Sequence, residues 1–268
     1  MKIFLNEKSV DVDKCTTAFG IKRSFKPNAD IVILNGFIIG EDIVVKENDR
    51  VTLIRRGEIP SKSELESLMI SRHTPGVHEK IKKARVGVAG LGGLGSNASI
   101  SLARIGIGYL KLVDFDVVEP SNLNRQQYFI KHLGMNKTEA MKELISQINP
   151  FVKIETENAY INKNNVEGLF NDVDIIVEAF DNAKSKAELI NAVLKKMPEK
   201  KVVAASGMAG YFSSNTIITK KIRENFYLVG DDVSEAKTGC GLMAPRVSIA
   251  ANHQANMVLR IIMGEKDV

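Results

Sequence analysis

Only two cysteines, Cys15 and Cys240, and four histidines occur in the 268 residues. Two thiols cannot form a disulfide scaffold or a four-thiolate zinc centre, so no zinc is expected. His73, His78, His132 and His253 show no ligand spacing. No uninterrupted run of about 18 apolar residues exists, which excludes a membrane-spanning helix. The opening segment Met1-Lys2-Ile3-Phe4-Leu5-Asn6-Glu7 lacks the apolar core of a signal peptide, and a cytoplasmic location is expected. Apolar residues at 44% and charged residues at 26% exclude global disorder. The length fits one large α/β domain, or a small module followed by a medium one.

A strong basic surface is also missing. The net charge is +5, but residues 1–60 carry 10 Lys/Arg against 9 Asp/Glu, and residues 86–268 carry 21 against 20. The excess sits in residues 61–85, with 6 against 3. That is a short solvated face, not a surface that tracks phosphates, so no nucleic-acid partner is expected.

The first 56 residues read as a small β-rich module. Residues 1–6 and 10–13 are extended runs around Glu7-Lys8-Ser9, and 16–25 is a short helix. Asn35-Gly36 lies between Ile31-Val32-Ile33-Leu34 and Phe37-Ile38-Ile39; both turn residues tolerate positive φ, which marks a hairpin. Residues 50–54 alternate as a strand. Pro60, a helix over 63–70 and the turn Thr74-Pro75-Gly76 form a connector. From about residue 84 strands and helices alternate. Strands are expected at 86–89, 109–113, 174–177, 201–205 and 211–219, and helices at 96–105, 137–148, 182–196 and 243–263. Asn136 is expected to cap the second of these helices and Pro150 to stop it. This rhythm implies right-handed crossovers and a mostly parallel, Rossmann-like sheet. The expected organisation is a small β-rich module at 1–57, a linker with a helix at 58–83, and an α/β domain at 84–268.

Gly90-Leu91-Gly92-Gly93-Leu94-Gly95 follows a strand and opens a helix. Glycines at 90, 92 and 95 fit G-x-G-x-x-G, which lets backbone amides approach a phosphate at a helix N-terminus. Asp114 ends the next strand, 19 residues past Gly95, where a carboxylate accepts hydrogen bonds from ribose hydroxyls. The pattern indicates an adenine nucleotide without choosing between NAD, FAD and ATP.

The segment Asp114-Phe115-Asp116, with Asn122-Leu123-Asn124-Arg125-Gln126 after it, narrows that choice. Together with the glycine turn it closely resembles the ubiquitin-activating-enzyme-like superfamily, nearest to the bacterial ThiF/MoeB type that adenylates sulfur-carrier proteins. The likeness covers roughly residues 70–265. It includes Lys137, Glu178-Ala179-Phe180-Asp181-Asn182 and Gly241-Leu242-Met243-Ala244-Pro245. It implies ATP and Mg²⁺ as cofactors, a homodimer, and as partner a small β-grasp carrier protein ending in Gly-Gly. It also implies that a carboxylate attacks the α-phosphate, leaving an acyl-adenylate and pyrophosphate. By resemblance the site falls on Gly93, Asp114, Asn122, Arg125, Lys137, Asp181 and Asn182. Arg125 offers a planar fork and Lys137 a point charge for phosphate oxygens. Asp181 is suited to Mg²⁺, Asn122 and Gln126 to the polyphosphate, and Asp114 to the ribose. Asp181-Asn182 is equally readable as a helix cap, and Asp116 as a turn residue. Relatives use an arginine from the region of Arg72 to reach the partner subunit's ATP, although the spacing to the strand is shorter here.

Two departures stand out. The Cys-x-x-Cys pairs of many relatives are absent. Cys240 lies near the position of a reactive thiol in some relatives, yet also reads as a small hydrophobe. The N-terminal module, residues 1–57, looks like a ubiquitin-like β-grasp domain of the sulfur-carrier (ThiS-like) type ahead of an ATP-binding domain at 84–268, but it continues Arg55-Arg56-Gly57-Glu58-Ile59-Pro60 and offers no terminal carboxylate. It is expected to aid docking or assembly and to tilt the substrate toward the thiazole half of thiamine. A molybdopterin-pathway or tRNA-modifying relative, an NAD(P)/FAD oxidoreductase and a non-catalytic binding module are the other readings.

Overall fold

The computed structural model describes residues 1–74 and 76–268. The turn expected at Thr74-Pro75-Gly76 thus includes a residue, Pro75, outside those described. The chain divides into two compact units, Met1–His78 and Glu79–Val268.

In the first unit, β1 (Lys2–Leu5) and β2 (Lys8–Asp11) pair antiparallel. Asn6 and Glu7 turn the chain at φ 46° and 65°, so Lys8 and Ser9, expected in the turn, already belong to β2. Helix α1 (Ala18–Phe25) starts at Thr17, whose hydroxyl accepts from the Gly20 amide at 3.0 Å. β3 (Ile31–Leu34) and β4 (Phe37–Ile38) form the expected hairpin, with Asn35 and Gly36 at φ 51° and 90°. β5 (Arg50–Ile54) lies between β1, which it pairs parallel, and β3, giving the order β2-β1-β5-β3-β4. Ile3, Ile21, Val32, Val51 and Leu53 close a core of their own. Ser61 caps α2 (Lys62–Ile70), and α3 (Val77–Ile81) runs across the boundary between the units.

The second unit is built on a seven-stranded sheet. In chain order it contains β6 (Arg85–Ala89), α4 (Gly93–Arg104), β7 (Tyr109–Asp114), α5 (Lys137–Ile148) and β8 (Lys153–Asn158). Next come α6 (Val166–Phe170), β9 (Ile175–Glu178), α7 (Ala183–Lys196) and β10 (Lys201–Ala205). It ends with β11 (Ile218–Arg223), β12 (Phe226–Gly230) and α8 (Ala244–Met263). The strand order is β11-β12-β10-β9-β6-β7-β8, and only the β11–β12 pair is antiparallel. The central strands are buried end to end, as expected for parallel strands covered on both faces. β6, β7 and β8 step outward in one direction; the chain then returns to lay β9 on the other side of β6. The crevice beyond the carboxyl ends of β6 and β9 is therefore a topological switch point, the usual ligand position in such sheets.

Three further expectations need correction. Residues 211–217 are not a strand: a 3-10 turn occupies Ser214–Thr216, and the strand begins at Ile218. The Phe212 and Ser213 carbonyls, which a strand would pair with a neighbour, accept instead from Arg246. Helix α4 begins at Gly93, not near Ser96, because tertiary packing overrides the poor helix propensity of glycine. Asn136 occupies the cap position of α5, but its side chain makes no capping bond.

Candidate active site

The switch point opens into a cavity of about 570 Å³. Its floor is the glycine turn. Gly90 leaves β6 at φ 90° and donates its amide to the Val113 carbonyl at 2.8 Å. A Cβ on Gly95 would lie 1.8 Å from the Gly90 carbonyl oxygen, so this residue permits α4 to close on the strand and is absent from the lining. Gly92 does line the cavity, and the nearest atom to a Cβ there is 3.9 Å away. Its smallness meets no demand of the protein itself. It leaves the first amides of α4 open to an incoming anion, where the helix dipole is positive.

Asp114 ends β7 and is buried. One carboxylate oxygen accepts from the Leu91 amide at 2.5 Å and the other from the Asp116 amide at 2.7 Å. Burial pushes its pKa up, against the pull of those amides and of Lys137. Asp114 therefore holds the glycine turn in shape, and one lone pair on each oxygen is left for a ligand.

The loop after β7 and the start of α5 supply the cations. Lys137, the first residue of α5, is buried and places Nζ 2.8 Å from Asp116 Oδ2. Arg125 donates from Nη1 to the Ser121 carbonyl at 3.1 Å and to Asn124 Oδ1 at 2.9 Å, while its buried Nε has no partner. Gln126 is buried with Oε1 unpartnered. Asn122 Oδ1 accepts from the Glu119 amide at 3.0 Å, which shapes this loop. From the other side of the crevice come Asp181 and Asn182, after β9. Asp181 is exposed on the lining, and Asn182 caps α7 by accepting from the Lys184 and Ser185 amides at 2.9 and 3.1 Å.

Ten of the residues expected from sequence thus line one cavity: Gly90, Gly92, Gly93, Asp114, Asn122, Arg125, Gln126, Lys137, Asp181 and Asn182. Gly95 packs behind it. Arg72 belongs to the other unit, exposed just beyond α2. Other contributors had no role assigned from sequence, although Phe115 and Glu178 lie in segments singled out there. Phe115 and Tyr160 meet edge to face at 5.2 Å on the apolar part of the lining. Glu178 is fully buried beneath the Asp181 loop; it accepts from the Phe180 amide at 2.7 Å and from Lys186 Nζ at 3.0 Å. Burial raises its pKa and the Lys186 ammonium opposes the rise. No local signal marks Lys186 or Tyr160, since their roles depend on residues far away in the chain. Among the described residues no three His, Cys, Asp or Glu side chains are grouped to hold a metal ion unaided.

Comparison with known proteins agrees with this architecture. Residues 65–268 match the ThiF family, and residues 1–57 match ThiS-like ubiquitin. The adenylyltransferase and sulfurtransferase UBA4 of Candida glabrata is 34% identical over 206 residues, 73% of this chain and 47% of that protein. The chain thus spans about half the length of that relative. The molybdopterin-synthase adenylyltransferase of Escherichia coli is 31% identical over 193 residues, 69% of this chain and 76% of its own. Among solved structures, the E. coli tRNA N6-threonylcarbamoyladenosine dehydratase TcdA in complex with ATP has a TM-score of 0.68 at 21% identity. That match covers 77% of this chain and 98% of TcdA, and it supports the fold. With the glycine turn, the Asn122–Gln126 loop and the family match covering most of its length, this chain belongs to the ThiF family and carries a ThiS-like module ahead of the ThiF domain.

Proposed function

We propose that the chain is an adenylyltransferase that activates the C-terminal glycine carboxylate of a small β-grasp sulfur-carrier protein with ATP. The observation that carries this reading is the convergence of Arg125, Lys137, Asp181 and the N-terminus of α4 on a single cavity. A carboxylate oxygen bonds to the α-phosphorus, the bond from that phosphorus to its bridging oxygen breaks, and pyrophosphate leaves. Negative charge builds on the phosphoryl oxygens, so fixed positive groups there lower the barrier. Lys137, held by Asp116, places its Nζ at the cavity wall. The Arg125 fork, still short of partners, is suited to two phosphoryl oxygens. The open amides at Gly92 and Gly93 take a further phosphate, and Asp114 takes the ribose. The exposed carboxylate of Asp181 fits Mg²⁺ that arrives with the nucleotide, since this ion keeps phosphate and water ligands and needs one or two carboxylates. Such an ion supplies charge neutralisation on the leaving phosphates. A homodimer, with Arg72 reaching the second subunit's nucleotide, belongs to the same proposal.

The ThiS-like module supports thiamine thiazole formation as the pathway. The molybdopterin-synthase adenylyltransferase among the relatives favours the second reading, a molybdopterin-pathway enzyme. Carrier-dependent ATP–pyrophosphate exchange separates the two. Exchange with a thiamine-type carrier alone is expected. Exchange only with a molybdopterin-type carrier would move the pathway, and exchange with neither would overturn the activity.

A further inference from the structure

Arg246, in the first turn of α8, is 3% exposed and is not part of the cavity lining. Its guanidinium nevertheless makes four hydrogen bonds. Nη1 donates to the carbonyls of Phe212 and Ser213 at 3.0 and 2.7 Å, and Nη2 to Thr216 Oγ1 at 2.9 Å and Asp231 Oδ2 at 2.5 Å. Asp231 in turn accepts from the amides of Val233 and Ser234 and from the Ser234 hydroxyl, at 2.9, 2.8 and 2.6 Å. One buried ion pair thus fastens three segments: the loop after β10, the loop after β12 and the start of α8. Further backbone bonds tie them, from Gly210 to Gly241 and from Asp231 to Gly207, at 2.8 and 2.9 Å. Met208 and Leu242, carried by these loops, line the cavity. At the outer end of the first loop stand Tyr211 and Phe212, 91% and 59% exposed, with their rings stacked at 6.4 Å.

This side of the cavity differs in chemistry from the other. The glycine turn, Arg125 and Lys137 follow β6 and β7 and are cationic or amide-rich. The loops after β10 and β12 bring Met208 and Leu242, which offer phosphates nothing. What such a wall suits is the uncharged main chain that leads up to a carboxylate. We propose that Arg246 is a positioning residue whose clasp on Asp231 holds the Met208–Leu242 wall, and with it the seat of the acceptor peptide, while leaving the nucleotide seat alone. This deepens the adenylyltransferase reading and rests on it.

The test uses the full chain, unaltered and as Arg246→Met and Arg246→Lys. ATP binding is measured by calorimetry with magnesium, carrier kinetics by pyrophosphate exchange, and local opening by amide hydrogen exchange. In Arg246→Met the carrier KM is expected to rise about 10- to 100-fold, the scale of a small misplacement of a reacting group. The ATP Kd is expected to hold within about twofold, because the groups that Arg246 bonds, on Phe212, Ser213, Thr216 and Asp231, are not those that hold the glycine turn, and α8 keeps its own link to that turn through Ser248 and Asn97 at 3.1 Å. The amides of Gly210, Val233 and Ser234 should exchange faster, while that of Leu91 should not. Lysine reaches one carboxylate but not four acceptors, so Arg246→Lys should recover part of the carrier KM. That variant carries the same comparison if the methionine variant does not fold. An unchanged carrier KM, or a carrier KM and an ATP Kd that weaken together, would overturn the proposal. If the unaltered chain binds ATP but shows no exchange with any carrier, the adenylyltransferase reading fails first and takes the acceptor role with it. Exchange in the unaltered chain with an indifferent Arg246→Met sinks the clasp alone.

Discussion

Arg125 and Lys137 carry the same charge yet meet the cavity differently. Lys137 is already paired with Asp116, whereas the Arg125 guanidinium rests on a carbonyl and an amide oxygen and keeps a buried Nε unpartnered. The arginine therefore has the larger unmet capacity for phosphoryl oxygens. Arg125→Ala is expected to slow carrier-dependent exchange about 100-fold or more, the usual cost of one fixed transition-state donor. The check is single-turnover formation of pyrophosphate at saturating ATP; a loss of only a few fold would make Arg125 a surface charge. Asp114 yields a pH prediction. Burial comes first and raises its pKa, so on acidification it takes up a proton before an ordinary aspartate does. Once protonated it no longer accepts fully from both the Leu91 and Asp116 amides, and the glycine turn loosens. ATP affinity should therefore decline on the acid side from a pH above the ordinary aspartate range, and this titration should vanish in Asp114→Asn. Identical pH profiles for the two proteins would refute it.

At the scale of elements, the βα turn divides its glycines by function. Gly95 is required by packing, since its Cβ would meet the Gly90 carbonyl at 1.8 Å, while Gly92 has open space. Gly95→Ala should destabilise the fold by about 1–3 kcal/mol or more, the range for overpacking against an atom that cannot yield. Gly92→Ala should leave the urea midpoint nearly unchanged and weaken ATP binding instead. Equal effects of the two substitutions on stability would show that this division is wrong. Some of these elements were legible because their signals are short-range. Asn35-Gly36 specified its hairpin through two positive φ angles, and the apolar face of 137–148 specified α5 with the same bounds. β8, with the sequence Lys-Ile-Glu-Thr-Glu-Asn, was not legible: it is an edge strand whose partner β7, over forty residues earlier, decides its conformation.

The whole molecule is two units, each with its own core, and among the described residues every one that lines the cavity belongs to the second. The first unit runs on into the second and so has no terminal carboxylate to activate. Deleting residues 1–57 is expected to leave ATP affinity unchanged and to weaken carrier docking or assembly. Calorimetry, sedimentation and exchange with a separate carrier check this. Unchanged assembly and carrier KM would remove any such role for the module, and lost ATP binding would give it a part in the nucleotide site.

The sequence by itself determined the features that neighbouring residues impose on one another: the glycine turn, the helix periods, the hairpin and the strand–helix alternation that makes a parallel sheet. It also placed Arg125, Lys137 and Asp181 in recognisable segments. Tertiary structure alone decided that β9 returns beside β6 to open the crevice, and that both Asp114 oxygens serve backbone amides before any ribose. It also decided that residues 211–217 give up a strand to satisfy Arg246. The pairing of β6 with β9 joins strands far apart in the chain, and Asp114 and Arg246 are buried polar groups that find partners in Leu91 and in Phe212 and Ser213; the cost of leaving such groups unpaired outweighs local preference.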